Sequence, residues 1–201
     1  MKKTMFKLMI LVVGISGIQS CKKGEEDPFM SLRSRKARLT GEWQVTSYET
    51  KNSTNGTVTF SESLSGTTLT TSSGGVSDTE TYSYDFTFEK DGTYKTIEVE
   101  DNVTKTITGN WAFLGKNKNA DIKKKEYLLL DDTKYTTVNS TTAAANSSSE
   151  YSNFQDGGQY ALQIVKLSNK EILLNYVSTS KDNNTGGDTY ETTIKITLTK
   201  K

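Results

Sequence analysis

Tyr82-Ser83-Tyr84-Asp85-Phe86-Thr87-Phe88-Glu89 alternates an aromatic ring with a polar side chain without a break. In an extended chain successive side chains point to opposite faces. The four rings therefore share one side, and Ser83, Asp85, Thr87 and Glu89 share the other. A helix would scatter the same rings around its axis. The stretch is a β-strand with one buried face, and Asp85 and Glu89 are expected to point to solvent. Two uses of that face are open. Tyr82, Tyr84, Phe86 and Phe88 either pack as core, or line a cavity in which the tyrosine hydroxyls supply a few polar contacts.

The neighbouring sequence extends this strand into a meander. Asp91-Gly92 has the chemistry of a tight hairpin turn, and a second strand returns over 93–100 through Tyr94, Ile97 and Val99. Asp101-Asn102 turns again. A third strand over 103–114 carries Val103, Ile107, Trp111 and Phe113 on one face.

Upstream, Gly41-Glu42-Trp43 opens a strand over 41–50. Trp43 and Val45 share one face, with Gln44, Thr46 and Tyr48 opposite. The pattern repeats at Gly109-Asn110-Trp111. A glycine two residues before a tryptophan lets another group approach closely beside a wide ring, which is a packing device. Gly41, Trp43, Gly109 and Trp111 are therefore expected to be structural. A strand over 56–64 follows, with Val58, Phe60 and Leu64 in phase. Ser65 to Asp78 reads as a long loop or ragged hairpin end.

Downstream, 126–130 is a short apolar strand ending at Asp131-Asp132. Residues 133–158 are a low-complexity insertion, either a lid or disordered. Strands over 159–167 (Tyr160, Leu162, Ile164), 170–179 (Ile172, Leu174, Tyr176) and 189–199 (Tyr190, Ile194, Ile196, Leu198) complete the chain. About eight antiparallel strands with almost no helix predict an all-β fold: an up-and-down barrel or a strongly curved sandwich. Closure would also remove the edges that Thr-rich strands otherwise expose.

The N-terminal part has a different composition. Lys2, Lys3 and Lys7 precede an apolar run from Leu8 to Val13, too short to span a bilayer. Residues 1–20 read as an export signal. Ile18-Gln19-Ser20-Cys21 resembles a lipobox, with an aliphatic residue three before the cysteine and a small one directly before it. That resemblance implies cleavage before Cys21 and attachment of palmitate-type acyl chains, which anchor firmly because each buried CH₂ contributes about 0.8 kcal/mol. Residues 21–27 form a polar tether. Its Glu25-Glu26-Asp27 is similar to the surface-export signal of Bacteroidetes-type lipoproteins.

The domain proper spans 28–201. Asp27-Pro28 marks a helix start, and a short helix over 28–36 fits Phe29 and Leu32 on one face. The basic residues Arg33, Arg35, Lys36 and Arg38 either contact anionic head groups or form a solvated face.

The chain has 201 residues, 33% of them hydrophobic, below the usual share, but the apolar residues fall in alternating runs as in a folded β-domain. The formal net charge is +1; without Lys2, Lys3 and Lys7 the chain keeps 22 of its 25 basic residues against 24 acids, about −2. That is no nucleic-acid-binding surface.

There is no histidine, and Cys21 is the only cysteine. Ser-His-Asp and Cys-His nucleophilic sites, disulfides and cysteine zinc clusters are excluded. Asp182-Asn183-Asn184-Thr185-Gly186-Gly187-Asp188 is superficially similar to a calcium loop. It fails as one, because Gly186 stands at a ligand position and Thr193 replaces the closing glutamate. With 24 acids, two-carboxylate chemistry is not excluded, and Asp131-Asp132 is the pair able to meet another acid in space, but no acid falls in a predicted apolar wall. No cofactor and no metal is expected, and the protein is read as a non-enzyme.

Taken in order, these features resemble a lipocalin-like lipoprotein of the Bacteroidetes type. They are the lipobox, the acidic tether, the run from Asp27 through Arg33, Arg35 and Lys36 to Gly41-x-Trp43, Phe86-x-Phe88-x-x-Asp91-Gly92-x-Tyr94, Gly109-x-Trp111-x-Phe113, and Lys166-Leu167-Ser168-Asn169-Lys170-Glu171. The resemblance implies an up-and-down barrel whose base is closed by Trp43 beneath the short helix. Arg38 or Lys195 would stack on the ring. It also implies a pocket for a small apolar ligand or lipid at the open end, in a protein held at the outer membrane through Cys21. The rival is a surface or envelope-assembly module with a solid barrel.

Overall fold

The computed structural model describes residues 33–115, 126–139, 147–150, 159–182 and 187–201. The leader, Cys21, the tether, residues 28–32 and 116–125 lie outside these, as do 140–146, 151–158 and 183–186.

The chain is a closed antiparallel barrel of ten strands with an eleventh outside it. Among the described residues one short helix, α1 (Arg35–Leu39), precedes β1 (Gly41–Thr54). Then come β2 (Thr57–Ser65), β3 (Thr68–Ser73), β4 (Val76–Phe88), β5 (Thr93–Glu100), β6 (Val103–Gly115) and β7 (Glu126–Asn139). After β8 (Ser147–Glu150), β9 (Gln159–Leu167), β10 (Glu171–Lys181) and β11 (Thr189–Lys200) complete the ring, and β11 closes it on β1.

The strand count is ten, not eight: β3 adds a strand where a loop is expected, and β7 is longer than expected. The departures sit in two places. Ser65 to Asp78 is not a loop. Tight turns at Gly66 (φ +64°) and Gly74-Gly75 (φ +58° and +84°) fold it into the β2–β3 hairpin and the start of β4. Glycine meets these positive φ values without steric cost. The second place is Thr133–Asn139, expected in the low-complexity insertion, which continues β7 against β6. A bulge at Thr133 resets the register there, and Thr133 donates its hydroxyl to the Thr108 carbonyl, 3.1 Å away. Ser147–Glu150 adds β8 to the same edge of β7, above β9.

The β2–β3 hairpin is inserted only at one end. From Ser47 to Thr54, β1 pairs with β2, whereas Gly41–Gln44 pairs directly with Asp85–Phe88 of β4. A circuit around the base therefore skips β2 and β3, while one around the mouth includes them. The barrel is a funnel, narrow at the helix end.

Of the helix expected over 28–36, residues 28–32 lie outside the described residues, and 33–34 are not helical. Ser34 is the N-cap of α1, accepting from the Ala37 amide at 3.1 Å, so the helix starts at Arg35 and ends at Leu39. Another correction concerns Tyr48, expected opposite Trp43. A bulge at Thr46 shifts the pairing with β11, and Tyr48 and Thr50 turn inward behind Val45. Ile97 and Val99 are likewise out of phase with Tyr94. On β5 the inward set is Tyr94, Thr96, Glu98 and Glu100.

The core is one cluster at the base. Leu39, Trp43, Val45, Phe88, Leu128, Leu167, Ile172, Leu174 and Leu198 are almost wholly buried.

Candidate ligand cavity and the plugged base of the barrel

Trp43 lies at the base, fully buried, with its indole N–H donating to the Leu39 carbonyl at 2.7 Å. The cation on its face is Lys200, not Arg38 or Lys195. The Lys200 ammonium sits 4.4 Å from the ring centroid and bonds the Thr40 carbonyl at 2.5 Å. Lys200 is the register partner of Trp43 across the β1–β11 seam.

Gly41 makes this possible. Its φ is +118°, and a Cβ there would lie 2.5 Å from the Lys200 ammonium. Burial and the nearby Arg33 charge push the Lys200 pKa down. Arg38, also buried, turns the other way and donates to the Leu167 carbonyl at 2.6 Å, tying α1 to β9. Lys195 is exposed beside Glu49.

Gly109 has a different task. It sits in register between Tyr94 on β5 and Asp132 on β7. With no side chain on β6 in between, the Tyr94 ring lies over Gly109 and its hydroxyl donates to the Asp132 carboxylate. Burial pushes the Asp132 pKa up, against the tyrosine bond that lowers it, and burial also raises Tyr94. Trp111 is a second post at the base. Its ring meets Phe88 and Phe113 edge-on at 6.2 and 5.5 Å, and its indole N–H donates to the Glu89 carbonyl. The basic side chains of α1 pack here: Arg35 pairs with Glu126 beside the Phe113 ring, and Lys36 covers Trp111. Arg35 and Arg38 are thus held within the protein, while Arg33 and Lys36 stay exposed.

Above this plug the barrel is open. A cavity of about 510 Å³ occupies the upper half, within the size range of small-molecule sites. The aromatic ladder of β4 runs into it. Phe88 stays below in the core, while Phe86, Tyr84 and Tyr82 line it, with successive ring centroids 4.8–6.3 Å apart. Leu69, Leu130, Leu162, Ile194 and Ile196 supply further apolar wall.

The remaining lining is polar, and sequence patterning had not marked it out. Tyr48, Tyr160, Glu62, Glu80, Glu98, Glu100 and Lys105 all face this space. The expectation that no acid lies in an apolar wall is overturned. Each acid shares the phase of apolar neighbours already placed inside: Glu62 with Leu64, Glu80 with Tyr82, Glu98 and Glu100 with Tyr94. Asp85 does lie on the outer face, paired with Lys201 at 2.6 Å, and Glu89 is exposed.

The charges form two groups. Lys105 reaches Glu98 at 2.9 Å and Glu100 at 2.7 Å. Burial alone would depress the lysine, but its bonds to Glu100 and Glu98 outweigh that and hold its pKa above the ordinary value. The same bond holds Glu100 below the usual range. Glu62 and Glu80 have no ion pair among the described residues. Burial first, then the Glu98 charge, raises Glu62, which accepts from Tyr48. Desolvation, then the Glu100 charge and a hydrogen bond in which Glu80 donates its carboxyl proton to Glu100, raise Glu80. Burial raises Tyr82 and Tyr84 as well, so both remain neutral hydrogen-bonding groups at neutral pH.

No protein-family model, curated protein or solved structure matches this chain.

Proposed function

We propose that this is a lipid-anchored outer-membrane lipoprotein whose lipocalin-like barrel carries a small, largely apolar ligand or lipid. The observation that carries the reading is the cavity of about 510 Å³ above the plugged base, walled by Phe86, Leu130, Leu162 and Ile196. A solid barrel, as in an envelope-assembly module, would fill that space with side chains. The base is filled by Trp43 and by Leu39 of α1, both fully buried, so a ligand enters from the wider end. The part played by the acids is binding, not turnover. Glu98 and Glu100 are tied to Lys105, and the chain has no histidine to shuttle protons.

Native mass spectrometry of the purified protein should find a co-purified small molecule. A homogeneous apo mass, with no uptake from a lipid extract, would sink the ligand reading. The anchor rests on the lipobox at Cys21. Cys21→Ser should move the protein from the membrane to the soluble fraction, and an unchanged membrane fraction would refute lipidation. Replacing Glu25, Glu26 and Asp27 by Ala should reduce labelling of intact cells if the tether directs surface display.

A further inference from the structure

Resting on the ligand-carrying reading above, we propose that the preferred ligand of this cavity is an amphipathic cation: an ammonium-type head on a short apolar body. Two features of different kind converge on it. The cavity gives room and an apolar wall for the body. Its charged lining gives the head, with four carboxylates (Glu62, Glu80, Glu98 and Glu100) facing one ammonium, Lys105.

Lys105 is committed to two of the four, Glu98 and Glu100. Glu62 and Glu80 are left without a cation among the described residues. Tyr48 directs its hydroxyl to Glu62, and Tyr82 bonds Glu98, which orients the carboxylates around the same space. The faces of Tyr48, Tyr82 and Tyr84 suit a cationic head by cation–π attraction, and suit best a head that is weakly hydrated.

The alternatives fare worse on the same residues. A fatty-acid carboxylate would enter a lining rich in carboxyl groups, in which Lys105, the one cation among the described lining residues, is already paired. A bare metal ion lacks a ready site: no group of three or more Asp, Glu, His or Cys among the described residues is arranged to hold one. A neutral apolar ligand fits the wall but leaves the carboxylates without a counter-charge, and buried charges without partners are costly.

The test is isothermal titration of the full chain, at pH 7.5 and low salt, with three probes that share one body: hexyltrimethylammonium, hexanol and hexanoate. The expected result is that the cation binds at least ten-fold more tightly than hexanoate. In the double variant Glu62→Gln, Glu80→Gln that preference should fall towards unity, with the ammonium losing more affinity than hexanol. Should this variant fail to fold by circular dichroism, Lys105→Met carries the test in the opposite direction: removing the one cation should widen the preference. If hexanol binds but the ammonium binds no better than hexanoate, or if neither variant alters the ratio, cation selectivity is overturned and ligand carriage stands. If none of the three probes binds, both fall.

Discussion

The two ends of this barrel place polar side chains inside for opposite purposes. At the base, Lys200 is held by the Thr40 carbonyl and the Trp43 ring, Arg38 donates to the Leu167 carbonyl, and Tyr94 caps Asp132 across Gly109. Every one of these groups closes space. At the mouth, Glu62 and Glu80 face a cavity with no cation of their own among the described residues, and the tyrosines leave room between the walls. Those groups hold space open. The funnel shape underlies the contrast. Inserting β2 and β3 on one end widens the ring there, so side chains that would meet in the narrow circuit stand apart in the wide one.

The largest effect that could break this contrast is truncation of the plug. Trp43→Ala removes a fully buried ring, its indole hydrogen bond and the seat of Lys200, and should cost about 3–5 kcal/mol in urea unfolding. Tyr82→Ala at the mouth, bordering space that already exists, should cost about 1–2 kcal/mol. Equal losses would show that the mouth is packed as tightly as the base, against the funnel described here.

Next in size is Gly109→Ala. A Cβ would overlap the Asp131 carbonyl and come within 2.7 Å of the Tyr94 ring. The backbone on β7 cannot step aside as a flexible side chain can, so about 1–3 kcal/mol should be lost. The hydroxyl of Tyr94 should also leave Asp132, which a shift of the tyrosine resonances by NMR would report. Gly41→Ala, whose Cβ meets only the movable end of Lys200, is the milder contrast at the same end, though its φ of +118° remains strained.

How much of this was legible depends on what sets side-chain direction. Strand phase was readable wherever large apolar residues alternate. Tyr82 to Phe88 and Ile194 to Leu198 gave the inward faces of β4 and β11. The same phase places Lys200 inside and Lys195 outside, and it places Glu80 and Lys105 in the barrel, although a charged residue is normally assigned to solvent. On β5 the apolar residues conflict: Ile97 and Val99 are out of phase with Tyr94, and following them turns Glu98 and Glu100 outward. Phase continued from apolar neighbours is the stronger signal, since a one-residue slip would turn the whole strand over.

Tyr48 was a different failure. The bulge at Thr46 has no glycine or proline to announce it, and it is imposed by pairing with β11 far along the chain. The polar β2–β3 hairpin was hidden for a related reason. Its strands carry few apolar residues, but Gly66 and Gly74-Gly75 stood at turn spacing.

The smallest expected effect is the sharpest on the mouth. Burial and the facing Glu98 raise the Glu62 pKa, and Tyr48, Glu98, Glu100 and Lys105 are the titratable groups around it. A carboxyl whose folded pKa is raised contributes stability below its unfolded pKa and loses that contribution as pH rises through the folded value. Glu62 therefore works against the fold at neutral pH, when it is ionised without a cation. Glu62→Gln keeps an acceptor for the Tyr48 hydroxyl and removes the charge. It should stabilise the protein at pH 7.5 by less than about 1 kcal/mol, an increase in Tm of roughly 2–4 °C at most. The gain should vanish near pH 4, where the wild-type carboxyl is protonated as well. Thermal melts of the two proteins across that range read the difference directly. A variant less stable than the wild type at pH 7.5 would mean that Glu62 is held by a cation within the protein, and the mouth would then be as internally satisfied as the base.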